Sequence, residues 1–159
     1  MNAIAKPAVS AYQLLIRYSN LLQPLILLLL RLWLVDVFFR SGLTKIDDWD
    51  ITLALFTDEY HVPLLPPAVA AAMATCGELG LSVLLALGLG GRFAAAGLFI
   101  LNAVAVISYP ALNEATRQFH YFWGAQLLTL LAFGSGALSL DAWLKRWLSA
   151  RCEACGKVN

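Results

Sequence analysis

The sequence predicts an all-α integral membrane protein: a four-helix bundle forming one domain over residues 1–159, N-in/C-in, with short interfacial helices. Three observations carry this expectation. Hydrophobic residues make up 60% of the chain and charged residues 13%, against about 25% charged in soluble domains. A soluble domain this small keeps most residues near its surface and cannot hide so much apolar area. Four apolar stretches each approach the ~20 residues that cross a ~30 Å hydrocarbon core as helix. With both termini inside, the cytoplasmic side holds seven cations (Lys6, Arg17, Arg92, Lys145, Arg146, Arg151, Lys157) and the outer side two, Lys45 and Arg117. Such an excess of cations orients membrane helices.

The elements follow in order. The first twenty residues lack the continuous apolar core of a cleavable leader. Instead, Ile4, Tyr12, Leu15 and Ile16 beside Lys6 and Arg17 predict a short amphipathic segment on the cytoplasmic face. The first span is expected at about 21–43. The loop at 44–66 carries five acids (Asp47, Asp48, Asp50, Asp58, Glu59) against Lys45. An outer interfacial helix is expected within it at about 48–57, dipping Trp49, Leu53 and Phe56 into lipid or protein. Pro66-Pro67 opens the second span, 67–89, because proline is preorganised for a first helical turn. A glycine-rich turn at 88–91 leads into the third span, 93–109, making the two antiparallel neighbours. The fourth span is placed at 119–140, where Gly124, Gly134 and Gly136 permit close helix approach. Ser139 and Asp141 stand where they can cap a last surface helix, 142–150, with Trp143 and Trp147 at interfacial depth.

Ionisable residues inside spans are costly and mark either function or a structural pair. Here they are Arg31, Asp36 and Arg40 in the first span and Glu78 in the second, with Asn102 in the third and His120 and Gln126 in the fourth. Counting residues along antiparallel spans puts Arg31 and Glu78 both near the midplane with Asn102, an expected bidentate pair and polar network. Asp36 and Arg40 are four apart and share a helical face. Arg31 points about 140° away from Asp36, so one ideal helix cannot aim all three at one spot. Asp36, Arg40, Lys45, His120 and Gln126 gather toward the outer mouth as candidates to bind an anionic substrate or a quinone headgroup. The catalytic residues stay unassigned.

Cys76 reads as a small buried hydrophobe. Cys152 and Cys155 form a C-x-x-C, which in a reducing compartment is a redox dithiol, half a metal site, or neither. With two ligands only, no metal site is assigned. Three cysteines make no disulfide framework. The net charge of +1 excludes nucleic acid as a partner.

The run Arg31-Leu-Trp-Leu-Val-Asp-Val-Phe-Phe-Arg-Ser-Gly-Leu-Thr-Lys45 resembles the first helix of the DoxX family. So do Glu59-Tyr-His-Val-Pro-Leu-Leu-Pro-Pro67, Glu78-Leu-Gly with the following Leu-Gly-Leu-Gly-Gly-Arg92, and Gly136-Ala-Leu-Ser-Leu-Asp141. The resemblance spans about 31–141 and leaves out the first thirty residues and the tail dithiol. It implies a four-helix protein of the bacterial inner membrane, related to the membrane subunit of thiosulfate:quinone oxidoreductase and to thiol and oxidative-stress chemistry. Arg31, Gly42, Lys45, Glu78 and Arg92 stand where the family's polar pattern falls.

Together these features lead to an expected oxidoreductase component linking a thiol or sulfur partner to the quinone pool, with quinone as the one implied cofactor. The expected partners are the lipid bilayer, a redox or operon-encoded protein, and further copies of the chain. The alternative is a non-catalytic scaffold or anchor whose buried ion pairs serve packing. A carrier of protons or small anions is the third reading.

Overall fold

A computed structural model of the chain describes the backbone of residues 5–156 and the side chains of residues 9–151. It contains six helices: α1 (Ala5–Asp47), α2 (Trp49–Asp58), α3 (Pro67–Leu87), α4 (Gly91–Ser108), α5 (Glu114–Phe133) and α6 (Leu140–Gly156). No strand occurs among the described residues. Helices α1, α3 and α4 are long and apolar enough to cross a membrane. The 20-residue α5 matches α3 and α4 in length, but Glu114, Arg117, Gln118 and His120 lower its apolar character.

Packing runs from α1 to α3, α3 to α4, α4 to α5, and from α5 back to α1. The core between them is built from Leu34, Phe38, Leu85, Ala94, Ala95, Leu98, Leu127 and Leu130. Alanines on α4 let its neighbours approach closely. At Gly124 an added Cβ would stand 3.4 Å from Asn102 Nδ2 and 3.6 Å from Phe99, so the expected close approach holds there. A second, smaller core seats Phe56 of α2 on Ala70 and Ala71 of α3.

The structure departs from expectation in several places. The amphipathic segment and first span are one helix of 43 residues that runs through Pro24. An interior proline removes one donor, a loss membrane helices tolerate when neighbours re-satisfy the freed groups. The helix expected as the fourth span, α5, ends at Phe133 rather than at 140. Gly134 (φ 79°) and Gly136 (φ 74°) adopt positive-φ backbone past the end of α5; Gly134 ends the helix, and Gly136 permits close approach to α1, where a Cβ would stand 3.2 Å from Leu27. Cys76 is exposed on α3 rather than buried.

The caps explain the remaining ends. Asp48 Oδ1 accepts from Ile51 N at 3.0 Å to start α2, and Asn113 Oδ1 accepts from Thr116 N at 2.9 Å to start α5. Gly88 closes α3 in the left-handed region. Ser139 Oγ accepts from Ala142 N at 3.2 Å at the start of α6, as expected. Asp141 caps a different helix: its carboxylate reaches across to Gly90 N (3.0 Å) and Gly91 N (3.2 Å) at the start of α4.

Candidate functional site

The ionisable residues separate into three places. At the end of the bundle formed by the α3–α4 and α5–α6 turns, Arg31 is 2% exposed. It donates to three backbone carbonyls: Ser135 O at 2.8 Å, Leu138 O at 3.0 Å and Ala86 O at 3.4 Å. It therefore does not pair with Glu78. The midplane expectation failed because it took Arg31 as the middle of a span at 21–43, whereas Arg31 packs at the turn end of the bundle. The stretch of α1 that packs along α3 instead runs from Arg31, beside the C-terminus of α3, toward Asp47, and Lys45 reaches Glu78. Arg31 there clamps carbonyls that helix ends and turns leave unsatisfied. Arg92 acts similarly, donating to Ala132 O at 3.0 Å in the last turn of α5.

Asp36 and Arg40 form an ion pair along α1, Nε to Oδ1 2.6 Å, with side chains 52% and 77% exposed. They point away from the bundle, as the wheel angle to Arg31 requires, and line neither cavity beside Glu78.

The third place is the other half of the bundle, where side chains face side chains around a cavity. Lys45 Nζ, near the end of α1, donates to both Glu78 oxygens at 2.8 and 3.0 Å and to Ser41 Oγ at 2.9 Å. The pair is mostly buried, the side chains 18% and 13% exposed. Gly42 permits this crossing, since a Cβ there would meet Leu79 at 2.8 Å. Thr52 Oγ1 donates to Lys45 O at 3.0 Å and ties α2 onto the same corner.

Opposite stand Asn102 and His120. Asn102 Nδ2 donates to His120 O at 2.9 Å, which fixes the orientation of the amide. Its Oδ1, 2.8 Å from His120 Nδ1, must then accept. Nδ1 carries the proton, and in the neutral ring Nε2 is an acceptor. The imidazole packs edge-on against Trp123, centroids 5.0 Å apart.

Between these pairs lies a cavity of about 220 Å³, lined by Ser41, Lys45, Glu78, Asn102, His120, Trp123 and Tyr60. A second cavity of about 310 Å³, walled by Phe56, Val62, Leu65, Met73, Ile100 and Val104, shares Lys45, Tyr60 and Glu78 with the first. Tyr60 stands at the junction. Its ring stacks between Phe56 and Tyr109, both centroids at 4.8 Å. Burial raises the Tyr60 phenol above its ordinary pKa, and the negative charge of Glu78 adds to the effect. Tyr109 donates its hydroxyl to Glu59 Oε2 at 2.6 Å; this hydrogen bond, more than burial, raises its pKa as well. His61 N donates to Ser108 O at 2.7 Å, so the loop after α2 is pinned over the end of α4.

A family model, DoxX, matches residues 26–111. The chain belongs to the DoxX family. No curated protein and no solved structure matches it. The DoxX match takes in Arg31, Lys45, Tyr60, Glu78 and Asn102 and stops before His120 and Trp123, so α5 completes the cavity from outside the matched segment.

Of the expected site residues, the DoxX bundle brings together Lys45, Glu78, Asn102 and His120. It leaves out Asp36 and Arg40, which face outward, and Gln126, whose buried Oε1 has no hydrogen-bond partner among the described residues. The side chains of Cys152 and Cys155 lie outside the described ones; their backbone falls in α6. Ser41, Tyr60 and Trp123 were missed by sequence reasoning. Ser41 had a signal, standing one helical turn before Lys45. Tyr60 had only its place in the acidic loop.

Proposed function

We propose that this DoxX-family chain is a four-helix inner-membrane protein, N-in/C-in, that serves as an oxidoreductase component with a quinone site in the paired cavities. The adjoining cavities carry the reading: a polar one walled by Lys45, His120 and Tyr60 opens beside a mostly apolar one. Such a pair suits a molecule with a polar ring and an apolar tail. The Tyr60 hydroxyl, held protonated by its raised pKa, donates to a carbonyl oxygen; His120 Nε2 accepts from a hydroxyl. Lys45 and Glu78 hold charge and countercharge at the polar end. A quinone held by Tyr60, His120 and Lys45 would supply an acceptor for two electrons and two protons, which a partner would furnish as its two thiols close to a disulfide. The thiols are assigned to a partner because no cysteine is among the residues that line the two cavities. The topology is supported by Arg17, Arg92, Lys145, Arg146 and Arg151 sharing the end of the molecule where Arg31 meets the turns.

The test is titration of the detergent-solubilised chain with a short-tailed benzoquinone, read by quenching of Trp123 against a Trp123→Phe control. Saturable quenching is expected, weakened in His120→Ala and in Tyr60→Phe and unchanged in Asp36→Asn. Absence of saturable quenching, with no quinone in an organic extract of the purified protein, refutes the site and leaves the scaffold reading.

A further inference from the structure

The outward charges on α1 have no role in the cavities, and their level in the bundle makes their exposure informative. Phe38 packs its ring on Trp123, which lies at the middle of α5. Gly42 faces Glu78 and Leu79 at the middle of α3. Asp36 and Arg40 flank the Phe38 level, and Arg40 stands two residues short of Gly42, so the pair sits at mid-height of the bundle rather than at an end. Its single hydrogen bond uses Arg40 Nε. The other guanidinium N–H groups and the second Asp36 oxygen have no partner among the described residues. At that depth lipid tails offer neither donors nor acceptors, and charged groups in spans turn toward protein or water.

A leucine register runs along the same face. Leu22, Leu25, Leu29, Leu32 and Leu43 are all exposed. They follow one another at intervals of three, four, three and eleven, with Asp36 filling the heptad register between Leu32 and Leu43. Alternate three- and four-residue spacing is the seam by which one helix packs along another.

The geometry points to a parallel homodimer in which α1 of one copy lies along α1 of a second copy about a two-fold axis normal to the membrane. Charge complementarity selects this occupant. The seam needs a partner that is apolar along its length and offers one acid and one base at mid-height. The same face of a second copy carries both, at the same depth. Across the two-fold axis, Asp36 of each copy meets Arg40 of the other, and four charges close into a neutral cluster with the remaining donors used. The cavities of the quinone reading lie on the opposite side of α1, so the dimer stands or falls independently of them.

The experiment labels two populations of the full chain with donor and acceptor dyes and reconstitutes them in phosphatidylcholine–phosphatidylglycerol vesicles. Energy transfer is followed as empty lipid dilutes the protein. The unaltered chain is expected to keep its transfer on dilution. Asp36→Arg alone and Arg40→Asp alone bring like charges together, and each is expected to lose about tenfold or more in self-association. Mixing these two variants makes the charges complementary again and is expected to restore transfer between them. The dilution series on the unaltered chain decides the matter without a variant: transfer that falls to the random-proximity level overturns the proposal. So do self-association undiminished in both single variants, and a mixture that fails to recover while circular dichroism reports wild-type helix.

Discussion

The Lys45–Glu78 pair gives the sharpest stability prediction. Both side chains are mostly buried, and Glu78 has both oxygens on Lys45 Nζ at 2.8 and 3.0 Å. Lys45→Met strands the carboxylate, and Glu78→Leu strands the ammonium. Removing one member of a buried pair costs about 3–5 kcal/mol, and the residual exposure here places each loss near the lower end. Lys45→Met with Glu78→Leu removes both charges and restores apolar volume, so the double variant should be more stable than either single, within about 1 kcal/mol of the parent. The assay is equilibrium unfolding in mixed micelles, followed by circular dichroism. Arg31→Met is the control. It leaves carbonyls unpaired at a cost of about 1–3 kcal/mol, and because Arg31 shares no partner with Glu78 its effect should add to that of Glu78→Leu within about 0.5 kcal/mol. Singles that cost under about 1 kcal/mol, or a Lys45/Glu78 double variant no better than the sum of its parts, would refute the reasoning.

Two further outcomes follow from local geometry. Gly88 has φ 66°, and a Cβ there would stand 2.5 Å from an Arg31 guanidinium nitrogen and 2.6 Å from Ser139 Cβ; Gly88→Ala should cost about 2 kcal/mol or more. Gly90, with φ 57° and open space around its added Cβ, should lose only the backbone part, about 1 kcal/mol, and the same unfolding curves compare the two. For Tyr60, burial raises the phenol pKa in the folded state. Its protonated form is therefore favoured by folding, and that stability is complete below the unfolded value of ~10 and lost as pH rises through the folded one. Thermal unfolding at alkaline pH should show a smaller stability loss in Tyr60→Phe than in the parent; parallel losses would remove Tyr60 as the cause.

How far the sequence could lead depended on what each feature needs. Helix ends set by local chemistry were legible: Asp48 before α2, Pro67 at the start of α3 and Ser139 before α6 need only neighbours in the chain. Span lengths were less so. A proline at residue 24 reads as a boundary, yet the helix continues through it, and the glycines at 134 and 136 fit a packing motif as well as a break. The site residues Lys45, Glu78, Asn102 and His120 were each visible as polar groups in apolar surroundings. Their partners were not, because partner choice depends on the axial register of two helices. In the observed register Glu78 lies opposite Lys45, which the expected first span of 21–43 leaves out. Asp141 shows the same limit: its sequence neighbours suggest a cap for α6, while the tertiary fold presents it with the free N–H groups of α4.

The two ends of the bundle also differ in what a ligand can change. Arg31, Arg92 and Asp141 bond to backbone carbonyls and N–H groups that have no other polar partner among the described residues. Any incoming molecule that competed for them would leave helix ends unsatisfied, so that end acts as a fastening. Lys45, Glu78, Asn102 and His120 instead meet as side chains around open volume. Side chains there can exchange one partner for another without unmaking a helix, and the imidazole retains an acceptor for something not yet bonded. Buried polar groups that fasten and buried polar groups that bind look alike in composition. The distinction lies in whether their partners are main chain or side chain, and whether a cavity lies between them. On that criterion the binding capacity of this bundle belongs to the Lys45–His120 half.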